Sequence, residues 1–235
     1  MTARLLSKLA VLILTIALPG SAFSGDLEDG NAAYDRGDYA TALSKYMKAA
    51  EQGDASAQNT LGLMYDQGQG VAQDYEQAAN WYLKASEQGH ARAQYNLGIM
   101  YREGQGVPQN NDQELYWFLK SAKRGYLRAQ YNLAVMYQFG QSVPVNYKQS
   151  VYWFMMAAEQ GHSTSQHSLG VIYAEGLGVP RDYVQAYVWS SLAAAQGHDG
   201  GRTNRDIFER FMTPEQVAEA QRLTREWERA GESRI

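Results

Sequence analysis

Residues 91–126 read ARAQYNLGIMYREGQGVPQNNDQELYWFLKSAKRGY, two helical patterns separated by a stop. In the first pattern, Ala91, Gln94, Leu97, Gly98 and Tyr101 recur at i, i+3, i+4 and i+7 spacings, which gather them on one helix face. The run Gly104-Gln105-Gly106-Val107-Pro108 ends that helix, because glycine admits left-handed backbone angles and proline cannot continue the ladder. Asn110 is placed to cap a second helix carrying Leu115, Trp117, Phe118 and Ala122, with Gly125 as its C′ residue. Gly98 in mid-helix costs about 1 kcal/mol against alanine. Its presence therefore calls for close approach by a neighbouring helix.

The same pattern recurs every 36 residues. Starts of the AxAQ type fall at Ala55, Ala91, Leu127 and Ser163, and tryptophans at Trp81, Trp117, Trp153 and Trp189. Asp74, Asn110, Asn146 and Asp182 keep the register, as do Gly89, Gly125, Gly161 and Gly197. The mid-helix small residue repeats as Gly62, Gly98, Ala134 and Gly170. A fixed period of this length marks a repeat array, in which each helix pair buries its apolar face only against its neighbours.

The segments AQYNLGIMYREGQGVPQN and WFLKSAKRG resemble the Sel1-like repeat, a relative of the tetratricopeptide repeat. The resemblance covers residues 55–198. It implies an all-α fold, with antiparallel helix pairs stacked into a right-handed α-solenoid that has a concave face. The units are then 55–90, 91–126, 127–162 and 163–198. Residues 25–54 form a shorter unit in which GDYATALSKYMKAAEQGD aligns with DYEQAANWYLKASEQGH and Asp38 matches Asp74. Its long interhelical loop is missing, so it resembles a tetratricopeptide repeat, as atypical terminal units often do.

Residues 199–235 leave the pattern and are read as a C-terminal cap. Asp199-Gly200-Gly201 suggests a flexible joint, and Ile207, Phe208 and Phe211 an apolar face. Thr213-Pro214-Glu215-Gln216 is a helix start with a capping box. The helix that follows carries Val217, Ala220, Leu223 and Trp227 on one side and Arg222, Glu226, Glu228 and Arg229 on the other. An open solenoid end requires a cover with a polar outer face; the other reading is a helix that binds a partner.

At the other end, residues 1–24 have the layout of a signal peptide: Arg4 and Lys8, an apolar run from Leu9 to Leu18, then Pro19-Gly20 and small residues. The run is about half the roughly 20 residues a bilayer-spanning helix needs. Cleavage after Ala22 or Ser24 leaves no stable membrane span, and an uncleaved anchor is the alternative. Export places the chain in the periplasm or beyond the cell.

Composition excludes several functions. The 235 residues include no cysteine, so disulfides, zinc-thiolate sites and a cysteine nucleophile are absent. Net charge is −4, and removal of Arg4 and Lys8 leaves 19 basic against 25 acidic residues, net −6. Nucleic-acid binding therefore lacks its electrostatic footprint. His90, His162 and His198 share one repeat position, one unit apart, and read as helix-junction residues rather than metal ligands; His167 stands alone on a first helix. The Gly-x-Gly loops lack the strand or lysine of a phosphate-binding motif. Glu28-Asp29 reads as solvated surface. No catalytic residue, metal or cofactor is expected. Some Sel1-like proteins have been proposed to bind or hydrolyse β-lactams, but those are rich in cysteine.

The resemblance implies that first helices line the concave groove and that their non-packing positions meet a ligand. Those positions supply Arg92, Tyr95, Arg102, Arg128, Tyr131 and His167. Arginine and tyrosine dominate binding hot spots. Paired arginines suit an acidic side chain or a C-terminal carboxylate; otherwise their stems only cover neighbouring residues. The expected function is a scaffold or regulator of the bacterial cell envelope, holding an unknown protein or peptide. The alternatives are an enzyme acting on β-lactams or peptidoglycan and a secreted effector that contacts a host protein.

Overall fold

The computed structural model of the chain describes residues 20–232, with side chains from 25 to 230. Most of the expected signal peptide, residues 1–19, lies outside the described residues. Among the latter there are twelve α-helices and no strand. α1 (Gly20–Asp35) and α2 (Tyr39–Glu51) form the N-terminal unit. The four repeats are α3 (Ala55–Gln67) with α4 (Tyr75–Glu87), α5 (Ala91–Glu103) with α6 (Asn111–Lys123), α7 (Leu127–Phe139) with α8 (Tyr147–Ala158), and α9 (Ser163–Glu175) with α10 (Tyr183–Ala195). α11 (Asp199–Glu209) and α12 (Pro214–Glu232) follow. α1 runs through both expected cleavage positions, Ala22 and Ser24. None of the described helices is long and apolar enough to cross a membrane.

From α1 to α11 each helix packs on the next in the chain, α12 packs back on α10, and the local sequence explains the boundaries. Second helices begin where Asp38, Asp74, Asn110, Asn146 and Asp182 accept a hydrogen bond from the backbone N–H three residues on, at 3.0–3.2 Å. The first helices of the four repeats end in left-handed Gly68, Gly104, Gly140 and Gly176. Two residues further, Gly70, Gly106 and Gly178 also have positive φ and lie on the backbone that begins the preceding unit's second helix. A Cβ on Gly70 would stand 2.7 Å from the Tyr39 carbonyl oxygen, and one on Gly106 would overlap the Tyr75 carbonyl. The interhelical loop is thus part of the stack.

The mid-helix glycines have a specific neighbour. A Cβ on Gly98 would stand 2.7 Å from the Phe118 ring, and one on Gly62 2.5 Å from Tyr82. In the first two repeats the close approach is therefore to an aromatic ring of the same unit's second helix, and in the fourth Gly170 meets Ser190 of α10 instead. Leu61, Leu97, Leu133 and Leu169 and the four repeated tryptophans fill the core between units.

The glutamine of each AxAQ start is a buried clamp. Gln58, Gln94, Gln130 and Gln166 each donate from Nε2 to a carbonyl near the end of the preceding second helix: Ala50, Ser86, Ala122 and Ala158, at 3.0–3.2 Å. Gln88, Gln160 and Gln196 in turn donate to Oε1 of Gln58, Gln130 and Gln166, each at 2.7 Å. Buried amides that satisfy both neighbours fix the spacing between units.

Two readings of the C-terminal region require correction. Asp199-Gly200-Gly201 is not a joint: it forms the first turn of α11. Gly201 is buried, and a Cβ there would stand 2.8 Å from the Ala193 side chain and the Ser190 carbonyl oxygen. The small residues let α11 cross α10 closely. Of the expected apolar face only Phe208 is buried, while Phe211 is exposed and stacks on Tyr183 at 5.1 Å. The capping box at Thr213 and Gln216 forms as read. α12 lays Ala220, Leu223 and Trp227 against the core, with the Trp227 ring 5.0 Å from Trp189.

At the N-terminal unit, Asp29 is exposed as expected but is not simply solvated. Together with Asp26 it holds Lys45 of α2, at 2.7 and 3.0 Å.

Candidate partner-binding face

Contacts link first helices along one side of the array: α3 touches α5, Asn132 of α7 reaches Tyr95 of α5, and α9 touches α11. This first-helix side is termed the inner face. Arg92 and Arg128 stand at one repeat position on α5 and α7, both exposed. Neither guanidinium takes part in a hydrogen bond or ion pair.

Tyr95, Tyr131 and His167 share the next repeat position and are half-buried. Each ring packs on the ring at the end of its own unit, which is the N-cap position of the following helix: Tyr95 on Tyr126 at 5.2 Å, Tyr131 on His162 at 4.9 Å, and His167 on His198 at 4.6 Å. Tyr95 also stacks on Phe118, and its hydroxyl accepts from Asn132 at 3.4 Å. His167 Nε2 lies 3.1 Å from the Asn204 amide. These rings form a ladder between units and offer a partner their edges. His167 is accordingly not alone, contrary to its reading from sequence.

Arg102 is exposed and pairs with Glu103 at 3.2 Å. With Asp66, Tyr82, Tyr95 and Ile99 it borders a recess of about 300 Å³ between α3 and α5. Burial, and next to it the charge of Glu103, pushes the Asp66 carboxyl above the usual carboxylate range. The structure therefore brings Tyr95 and Arg102 into one recess, with Arg92 on the same helix. Arg128, Tyr131 and His167 continue the face without lining that recess.

The histidines of the repeat boundary have a role the spacing did not reveal. His90, His162 and His198 are N-caps: Nδ1 accepts the backbone N–H of Ala93, Ser165 and Gly201 at 3.2–3.3 Å. An accepting Nδ1 requires the neutral ring with its proton on Nε2. Desolvation, the largest cause in each case, holds His90, His162 and His167 below the usual imidazole value; neighbouring Arg92 adds to this at His90 and His198 at His167. Among the described residues no group of three or more His, Asp or Glu is placed to hold a metal.

Comparison with known proteins accounts for the periodicity. The Sel1 repeat model matches residues 55–90, 91–126, 127–162 and 163–198. A Sel1 repeat protein from Oxalobacter formigenes is 32% identical over 76% of this chain and 74% of its own, with a TM-score of 0.73. A protective antigen of uropathogenic Escherichia coli with an SLR fold is also 32% identical, over 87% of this chain, with a TM-score of 0.51. This chain covers only 53% of that antigen's length. A putative Sel1 repeat protein from Klebsiella pneumoniae shares the fold at 20% identity and a TM-score of 0.50, over 82% of this chain and all of its own. No functionally curated protein matches. Sel1 repeats generally serve as scaffolds for protein–protein interaction, and solenoids of this kind are typically non-catalytic. The chain belongs to the Sel1 repeat family.

Proposed function

We propose that this protein is an exported adaptor of the bacterial cell envelope that holds an acidic segment of another protein on its inner face. The observation that carries the reading is the pair Arg92 and Arg128, exposed and unpaired at one repeat position on successive first helices. Two fixed guanidiniums one unit apart suit carboxylates spaced along an extended or helical segment. The neighbouring recess, with Tyr95 and Arg102 in its wall, supplies area for an adjoining side chain. Export is supported by the tripartite residues 1–24 and is in keeping with an E. coli relative that is a protective antigen.

The ring ladder changes how this is tested. Replacing Tyr95 or Tyr131 would disturb the stack as well as the face, so the decisive variant is R92E/R128E. Copurification from the native host should lose a specific partner with R92E/R128E and retain it with R181E/R210E, which places the same charges elsewhere. Equal retention by both variants would refute the inner-face reading. Fractionation of the host should place the protein outside the cytoplasm.

A further inference from the structure

We propose a second binding site, for a small polyanion, in the cavity where α10, α11 and α12 meet. This cavity is independent of the inner face and has a volume of about 330 Å³. Arg202 and Arg205 enter it from α11 and Arg225 from α12. Arg205 is paired with Asp206 at 2.7 Å, whereas the guanidiniums of Arg202 and Arg225 make no hydrogen bond or ion pair. The one acidic residue in the lining, Glu228, pairs with none of the three. A chain of net charge −4 thus concentrates guanidiniums from two helices around one open cleft. Like charges brought together without counter-charges repel, and a bound anion would relieve that cost.

The repeat register supplies a second, separate observation. Ser191, in the wall of the cavity on α10, stands where the three preceding units have Leu83, Leu119 and Met155. Its hydroxyl oxygen is buried and has no hydrogen-bond partner. A buried hydroxyl without a partner is destabilising. The substitution therefore both opens space and places a donor in the wall, against the demands of stacking. Gln221 of α12 adds an amide to the lining.

These groups define the ligand by chemistry. Arginine forks bind carboxylate and phosphate oxygens bidentately, and a hydroxyl and an amide add single donors. The cavity lies at the small end of small-molecule sites, which run from about 300 Å³. It therefore fits a compact dianion or trianion, either a phosphate monoester or a tricarboxylate, rather than a polymer.

The test is calorimetric titration of the mature chain with glucose 6-phosphate and, separately, with citrate, in chloride buffer. At least one probe should bind saturably, and which one binds tells phosphate from carboxylate recognition. R202Q/R225Q should weaken that binding by about tenfold or more, while R181Q/R210Q, an equal loss of charge elsewhere, should leave it unchanged. S191L restores the residue that the first and second repeats carry, so the fold should tolerate it, and it should abolish binding by filling the cavity. The proposal is overturned if neither probe binds saturably, if the R181Q/R210Q control loses as much as R202Q/R225Q, or if S191L binds as the parent does. None of these outcomes bears on Arg92 and Arg128.

Discussion

The second repeat and the other three solve one stacking problem with different chemistry. In the first, third and fourth repeats, the second helix opens with Tyr75, Tyr147 or Tyr183, carries a small Ala78, Ser150 or Ala186 one turn in, and ends at a glutamine that completes the clamp. The second repeat has Asn111, Glu114 and Arg124 at these places. The loop that follows in the third repeat carries Ser142 at φ 59° where the other three have glycine. The Ser142 hydroxyl donates to the Glu114 carboxylate at 2.8 Å. Two departures, 28 residues apart, thus make one contact across the unit boundary. Meanwhile Arg124 does not reach the clamp, and Gln94 Oε1 is buried without a partner. The difference teaches that the fold requires a fastened boundary but does not dictate how it is fastened.

The comparison breaks most sharply at the loop glycines. G106A should destabilise by about 3 kcal/mol in denaturant unfolding, because the new Cβ meets backbone and alanine disfavours the left-handed region. At the equivalent position S142A adds no Cβ. It should cost less, about 2 kcal/mol, by leaving the buried Glu114 carboxylate without its donor. Combining S142G with E114A restores the pattern of the first and fourth repeats. The double variant should be more stable than the sum of its single effects predicts, by about 1–2 kcal/mol; strict additivity would show that the two residues are not coupled.

A smaller, stabilising effect should come from R124Q. The new amide can donate to Gln94 Oε1, as Gln160 does to Gln130, and should add about 1 kcal/mol. A drop in stability would mean that Arg124, which packs on Gly89, matters more as cover than the missing clamp.

The pH dependence separates the boundaries again. His90, His162 and His167 have depressed folded-state values, so their stabilising contribution is present above the unfolded value, about 6.5, and is lost as pH falls through the lower folded values. The two caps among them, His90 and His162, are each worth about 1 kcal/mol. H90N keeps an oxygen acceptor without the titration and should shrink the loss on acidification. Glu114 behaves oppositely. Burial raises its value, against the hydroxyl of Ser142 and the charge of Arg102, so its contribution is full below the unfolded value, about 4.3, and lost as pH rises through the folded one. E114Q should therefore gain most, relative to the parent, at neutral pH.

Much of this was legible from residues alone. The 36-residue register gave the helix pairs, the Asp and Asn caps and the demand for a small residue at Gly98. It missed features whose partners lie in another unit. Gln58, Gln94, Gln130 and Gln166 announced themselves by recurring, but nothing local says that the amide reaches back to a carbonyl eight residues earlier. The histidines recur at a helix start, yet imidazole is an uncommon cap, and spacing alone marks them only as junction residues. Gly200-Gly201 followed the propensity rule for a break, and tertiary packing against Ala193 overrode it. Arg92 and Arg128 are exposed on first helices, as their spacing implies. Spacing could not show that Tyr95, Tyr131 and His167 lean on the ring at the N-cap of the following helix.

Site-specific photocrosslinking in the native host tests the functional account most directly. A photoreactive residue is placed in turn at 92 and 128 on the inner face and at 116 and 152 on the second helices, where Tyr116 and Tyr152 are exposed at one repeat position. The account predicts one shared protein adduct from 92 and 128 and its absence from 116 and 152. A specific adduct formed only from 116 and 152 would contradict it.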